Sequence, residues 1–172
     1  MAKVLIVYYS LTGRTQRMAE YLAEGLRFAA HEAVVKKTSE IETAEDLNGY
    51  DGYLFGSPTY HQDMAGPIKT FLFLARTAEL EGKLAGAFGS YTHSGDAPAM
   101  VFDTMRYVYR MRPFYLGPFN LLEAKVGTQD GMRACHDYGR TFGEKLMEPW
   151  TAPAADEGPD QTPDSPTPWA LT

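Results

Sequence analysis

Val4-Leu5-Ile6-Val7-Tyr8-Tyr9, followed by Ser10-Leu11-Thr12-Gly13-Arg14-Thr15, is the stretch whose reading decides the fold. The first part is a continuous apolar run with no polar alternation. Such a run marks a strand covered on both faces, as in a parallel sheet between helices. The second part is a turn rich in hydroxyls, and beyond it Met18, Leu22, Leu26 and Ala29 recur at helical spacing. Strand, hydroxyl-rich turn and amphipathic helix form one half of a βαβ unit.

The same unit repeats outward along the chain. Glu32 to Lys37 reads as a second strand, and Ala44-Glu45-Asp46-Leu47 as a helical turn that Asn48-Gly49 ends. Tyr53-Leu54-Phe55-Gly56 reads as a strand, 57–62 as a loop, and Ile68, Phe71, Leu72 and Ala75 as one face of a helix. Leu84 to Gly89 is a small-residue strand suited to a central place, 90–96 a loop, and Val101, Met105 and Val108 the stripe of the next helix. Phe114 to Val126 carries the last strand, interrupted at Gly117-Pro118 because proline breaks a ladder. Met132, Cys135, Gly139, Phe142 and Leu146 stripe a final helix. Alternating strands and helices predict an α/β domain with a parallel sheet between helical layers. Ligands of such sheets bind beyond the carboxyl ends of the strands, which singles out the loops 10–15, 57–63 and 90–96.

Composition bounds the function. The 172 residues suit a single domain, and a formal charge of −6 argues against a nucleic-acid or anionic-membrane binder. One cysteine excludes an internal disulfide framework and multi-thiolate metal sites. No apolar stretch approaches the roughly 18 residues of a spanning helix, and the N-terminus lacks a cleavable signal, so no membrane insertion and a cytoplasmic location are expected. Residues 149–172 hold six of the eleven prolines, both tryptophans, four acids and no Lys or Arg. They read as a disordered tail beyond a domain of residues 1–148, whose own net charge is only −2 from 16 basic and 18 acidic side chains.

In loop 10–15 the hydroxyls of Ser10, Thr12 and Thr15 and the backbone around Gly13 converge at a helix N-terminus, an anion site by geometry and dipole. The same residues also suit an ordinary strand–helix turn with a Thr cap. The loop lacks the Gly-Lys-Ser/Thr of a triphosphate loop and the three glycines of a dinucleotide fingerprint, so one terminal phosphate is the better ligand.

Tyr9 to Thr15 resembles the phosphate loop of the flavodoxin superfamily. Gly56-Ser57-Pro58-Thr59-Tyr60 with Met64-Ala65-Gly66-Pro67-Ile68-Lys69 resembles the second flavin loop of flavodoxin-like quinone oxidoreductases. Gly82 to Tyr91 resembles the fourth strand and third flavin loop of the flavodoxin domain in flavodiiron proteins. The resemblance covers residues 3–147 in order. It implies a three-layer flavodoxin-like fold, a five-stranded parallel sheet in order 2-1-3-4-5, and bound FMN. Carried over, Ser10, Thr12, Gly13, Arg14 and Thr15 would hold the phosphate. Pro58, Thr59, Tyr60 and His61 would border one side of the isoalloxazine ring, and Ser90, Tyr91, Thr92, His93 and Gly95 the other. Tyr60 and Tyr91 are the stacking candidates. His93 stands where the flavodiiron-like loop has a tryptophan. A protonated His61 or His93 would raise the potential of a reduced, anionic flavin; the alternative is a solvent-facing imidazole.

Other features carry less. Four histidines, His31, His61, His93 and His136, show no ligand spacing, so no metal is expected. Cys135 lies on an apolar stripe and reads as a core thiol; no catalytic side chain is assigned. Arg106 and Arg110 share a helix face, for an acidic partner, for a nicotinamide phosphate, or merely for water. Trp169 reads as a docking motif or as part of an inert extension. The resemblance thus implies electron transfer through bound FMN, most simply as a carrier between redox partner proteins. The alternative is an NAD(P)H-dependent quinone oxidoreductase, favoured by the near-neutral domain and by Met64-Ala65-Gly66-Pro67. Against that alternative, Tyr60-His61 replaces the Arg-Phe of those reductases.

Overall fold

The computed structural model describes residues 1–152. The tail expected from residue 149 lies, from 153 onward, outside the described residues. Strand β1 (Lys3–Tyr8) pairs in parallel with β2 (Glu32–Lys37) on one side and β3 (Gly52–Gly56) on the other. Next to β3 lies β6 (Leu84–Tyr91). The fifth position is split: β7 (Arg112–Pro113) pairs with Leu84 and Ala85, and β8 (Phe119–Leu122) with Phe88 to Tyr91. The order is therefore 2-1-3-4-5, all parallel, in a three-layer α/β fold of flavodoxin type.

Period-two alternation along buried strands divides the core into two halves. Leu5, Val7, Tyr53 and Phe55 face α2 (Gly66–Ala75) and α3 (Asp96–Asp103), where Ile68, Phe71 and Val101 meet them. Val4, Ile6, Leu54 and Phe88 face α1 (Arg14–Phe28) and α5 (Gln129–Leu146), where Met18, Leu22, Leu26, Cys135 and Phe142 pack. Each fully buried Leu, Ile or Phe contributes about 1.5–3 kcal/mol, so strand and helix order together. α1 and α5 approach backbone to side: a Cβ on Gly139 would sit 2.4 Å from the Leu22 carbonyl oxygen. That contact sets how closely α1 and α5 pack. Cys135 is fully buried, and burial pushes its thiol up to about 12, as a core thiol requires.

Four details depart from the sequence reading. Ser90 and Tyr91 are the last residues of β6 rather than loop, because β8 continues the ladder to them. Residues 57–64 contain a two-stranded hairpin, β4 (Thr59–Tyr60) with β5 (Asp63–Met64). Val108 is 59% exposed, and Tyr109 takes its place in the core. The cause is a π-turn at Thr104–Val108 that follows α3 and inserts a residue into the helical repeat. Finally, the chain after Leu122 turns into a short helix, α4 (Glu123–Val126), so the strand expected to reach Val126 stops four residues earlier.

Candidate functional site

Register alone brings the three loops to one rim. Tyr8 pairs with Gly56, and Gly56 with Phe88, so β1 and β3 end at one level and β6 runs on past it to Tyr91. Tyr9 N–H donates to the Gly56 carbonyl at 3.1 Å, and Ser57 N–H to the Phe88 carbonyl at 3.0 Å, extending the ladders into the loops.

The first loop delivers an open helix terminus. Gly13 occupies the N-cap of α1 at φ 87°, a left-handed conformation that glycine adopts without steric cost. It has no side chain to cap the helix, no other side chain caps it, and the first turn holds no acid. The leading N–H groups of α1 are therefore left without a side-chain acceptor. Ser10 Oγ accepts from Gly13 N–H at 3.0 Å and shapes the turn. Thr12 and Arg14 are exposed, while Thr15 is buried. Thr15 Oγ1 lies 3.1 Å from Ser90 Oγ, also buried, so a hydrogen bond ties the first loop to the end of β6.

The second loop is built more tightly than a loop need be. Ser57 Oγ accepts from Ala65 N–H at 3.1 Å and closes its base. Pro58 is buried behind it. Thr59 Oγ1 accepts from Ala97 N–H at 3.1 Å and so caps the first turn of α3. At the hairpin tip His61 and Gln62 adopt φ 49° and 62°, which side-chain-bearing residues adopt only under strain. Tyr60 is 37% exposed. Partial burial, and then the neighbouring Tyr9 and Glu123, raise its phenol above the ordinary range.

The third loop follows Tyr91, with Thr92 and His93 exposed and Gly95 at the N-cap of α3. Gly95 lies against the carboxamide of Asn120 in β8. Asn120 Oδ1 is a buried acceptor with no hydrogen-bond partner among the described residues. Glu123, at the start of α4, stands 3.9 Å from Arg14. A polar cavity of about 440 Å³ opens there, between Thr12, Arg14 and Arg17 on one side and Glu123 and Gly127 on the other. The sequence reading missed Asn120 and Glu123. No motif surrounds them; only the register of β8 against β6 brings them to the rim.

A doubly wound sheet whose first strand feeds a hydroxyl-rich turn and an uncapped helix, with two further loops at the same rim, defines a flavodoxin-like α/β protein. The comparisons agree with that class. The flavodoxin family model matches residues 6–107, and the chain belongs to the flavodoxin family. Among solved structures, it is similar to a flavodoxin from the domain Archaea, at 25% identity over 85% of this chain and 99% of that one, with a TM-score of 0.76. It is also similar to the Flv1 flavodiiron core of Synechocystis, at 25% identity over 84% of this chain but only 36% of that one, with a TM-score of 0.74. Flavodoxin 1 of Bacillus cereus, at 23% identity over 83% of this chain and 98% of that one, shares the fold with a TM-score of 0.73. Among the described residues, no helix is long and apolar enough to cross a membrane.

Proposed function

We propose that the chain binds FMN across the rim of the three loops and serves as an electron carrier between redox proteins. The observation that carries this reading is the uncapped start of α1 behind Ser10, Thr12 and Gly13, a site made for one terminal phosphate. Thr12 is exposed beside that phosphate site and Arg14, 3.9 Å from Glu123, stands at its edge, whereas Thr15 and Ser90 hold the loop to β6. Asn120 Oδ1 supports the same reading, since a buried acceptor without a donor is costly and FMN carries hydroxyl and N–H donors. The residues present therefore fit the cofactor. Tyr60 and Tyr91 supply aromatic surface that would exclude water on either side of the ring.

Bound FMN supplies the electron transfer itself; the protein contributes binding, orientation and exclusion of water. His61 and His93 would act on its potential through charge alone. The near-neutral domain, with a net charge of −2 over residues 1–148, favours one second reading, an NAD(P)H-dependent quinone oxidoreductase, because it gives little steering of charged protein partners.

One anaerobic experiment separates the two. FMN-reconstituted protein is followed by visible spectroscopy before and after NADH or NADPH. A shifted flavin band that stays oxidised until a separate reductase is added is the result expected of a carrier. Rapid bleaching by the pyridine nucleotide alone moves the assignment to the reductase. An unshifted band, identical to free FMN, removes the cofactor assignment.

A further inference from the structure

Between α2 and α3 runs an apolar groove of about 410 Å³, away from the loop rim except at its upper end. Leu72 and Phe73 form one wall, and Met100, Val108 and Tyr109 the other. Phe73 is 75% exposed and Val108 59%, a local density of water-facing apolar surface that marks a binding surface. The π-turn creates it, by turning Val108 outward. Arg76 and Lys69 line the groove, and Arg106 and Arg110 lie on the segment that carries Val108 and Tyr109. The Arg76 guanidinium lies over the Phe73 ring at 5.6 Å, that of Arg106 lies over exposed Tyr107 at 4.9 Å, and exposed Arg110 follows. Its one carboxylate, Asp63, is already paired with Lys69.

The described chain ends beside this groove. Trp150 packs against Gly82, whose N–H donates to the Arg110 carbonyl at 3.1 Å, and Tyr109 next door lines the groove. Beyond it residues 153–172 carry Asp156, Glu157, Asp160 and Asp164, no Lys or Arg, and then Trp169 and Leu171. An acidic stretch that closes on an indole is the complement of an apolar groove with arginines beside it.

We propose that residues 153–172 dock in the α2–α3 groove of their own chain, Trp169 seated against Phe73 and Val108, with the acidic residues facing Arg76, Arg106 and Arg110. Reach is ample: the chain from Ala152 to Trp169 spans up to roughly 60 Å when extended, against roughly 15 Å for the length of α2. Tethering holds the tail at about millimolar local concentration, so even weak indole burial populates the docked state. The ion pairs are exposed and screened by salt, which makes docking salt-sensitive. Asp63 and Met64, at the upper end of the groove, belong to the hairpin beside the loop rim, so a docked tail would lie directly behind the second loop. This inference does not depend on the bound cofactor.

The test uses the full-length chain with Trp150→Phe, which leaves Trp169 as the single indole. Docking gives Trp169 a blue-shifted emission and several-fold weaker acrylamide quenching than the free peptide 153–172. Added salt, Phe73→Glu or Arg76→Glu returns both to peptide-like values; these exposed side chains leave the fold intact, as an unchanged circular-dichroism melt verifies. Peptide-like quenching in the full-length chain overturns the proposal. So does protection that ignores both groove variants, or protection that appears only as protein concentration rises, which places the tail on another copy.

Discussion

Replacing Asn120 by Leu, a side chain of similar shape with no polar atom, should move the apo protein and the FMN complex in opposite directions. In the apo protein Asn120 Oδ1 is buried without a donor. Such a group costs about 1–3 kcal/mol of desolvation, and replacing it by an apolar side chain removes that cost. A gain of about 1 kcal/mol corresponds to a rise in Tm of roughly 2–4 °C for a chain of this size. With FMN the sign reverses, since Leu cannot accept from the cofactor. A lost net hydrogen bond of about 0.5–1.5 kcal/mol weakens the Kd by roughly two- to tenfold. Thermal unfolding of the apo variant and titration of flavin fluorescence read the two effects separately. A lower apo Tm with an unchanged FMN Kd would refute the reasoning, because it would mean that the carboxamide is satisfied within the protein and has no part in binding.

Four further outcomes follow from the geometry. Thr12→Val should weaken FMN binding by about 1.5–3 kcal/mol, the value of a hydrogen bond to a charged acceptor, and leave riboflavin binding unchanged; parallel titrations with the two flavins check it. Gly139→Ala forces a Cβ into the Leu22 carbonyl and should cost about 1–3 kcal/mol as overpacking, seen as a lower urea midpoint. Gln62→Gly relieves the left-handed strain at the hairpin tip and should raise stability by up to about 1 kcal/mol, whereas a lower Tm would show that the side chain holds the turn. The backbone N–H groups of Thr43 and Glu42 hold the Asp46 carboxyl below the usual carboxylate range. Its folded pKa is depressed, so its contribution is present above the unfolded value near pH 4 and lost as pH falls through the folded value. The stability gap between wild type and Asp46→Asn should therefore close on acidification, in pH-dependent denaturant melts.

Local pattern was enough wherever one physical effect dominated. Val4 to Tyr8 had to lie in a central strand because no polar residue interrupts them, with Tyr9 just past its end, and β2 falls on Glu32–Lys37 as the sequence suggested. The stripe Met18, Leu22, Leu26 is fully buried. Errors arose where a neighbour decided. Ser90 and Tyr91 look like loop residues, yet β8 supplies them with ladder partners. Val108 fits a helical stripe until one inserted residue rotates it to solvent. Glu123 to Val126 reads as the end of the last strand, yet β8 stops at Leu122 and the two charged residues Glu123 and Lys125 lie in the helical turn α4. The site shows the same division: the hydroxyls of loop 10–15 announce themselves by spacing, whereas Asn120 and Glu123 depend on pairing across the sheet.

The split fifth strand also bears on how the molecule behaves among its own copies. An unbroken strand at the margin of a sheet is a template on which another chain can add, the first step toward oligomers and fibrils. Here that margin consists of two short pieces, β7 and β8, separated by a turn at Gly117 and Pro118 and ended by α4. At the opposite margin, β2 ends in Lys36 and Lys37, charges that an incoming strand would have to confront. The interruption that lets β8 bring Asn120 to the rim thus also denies a neighbouring molecule a long ladder to extend.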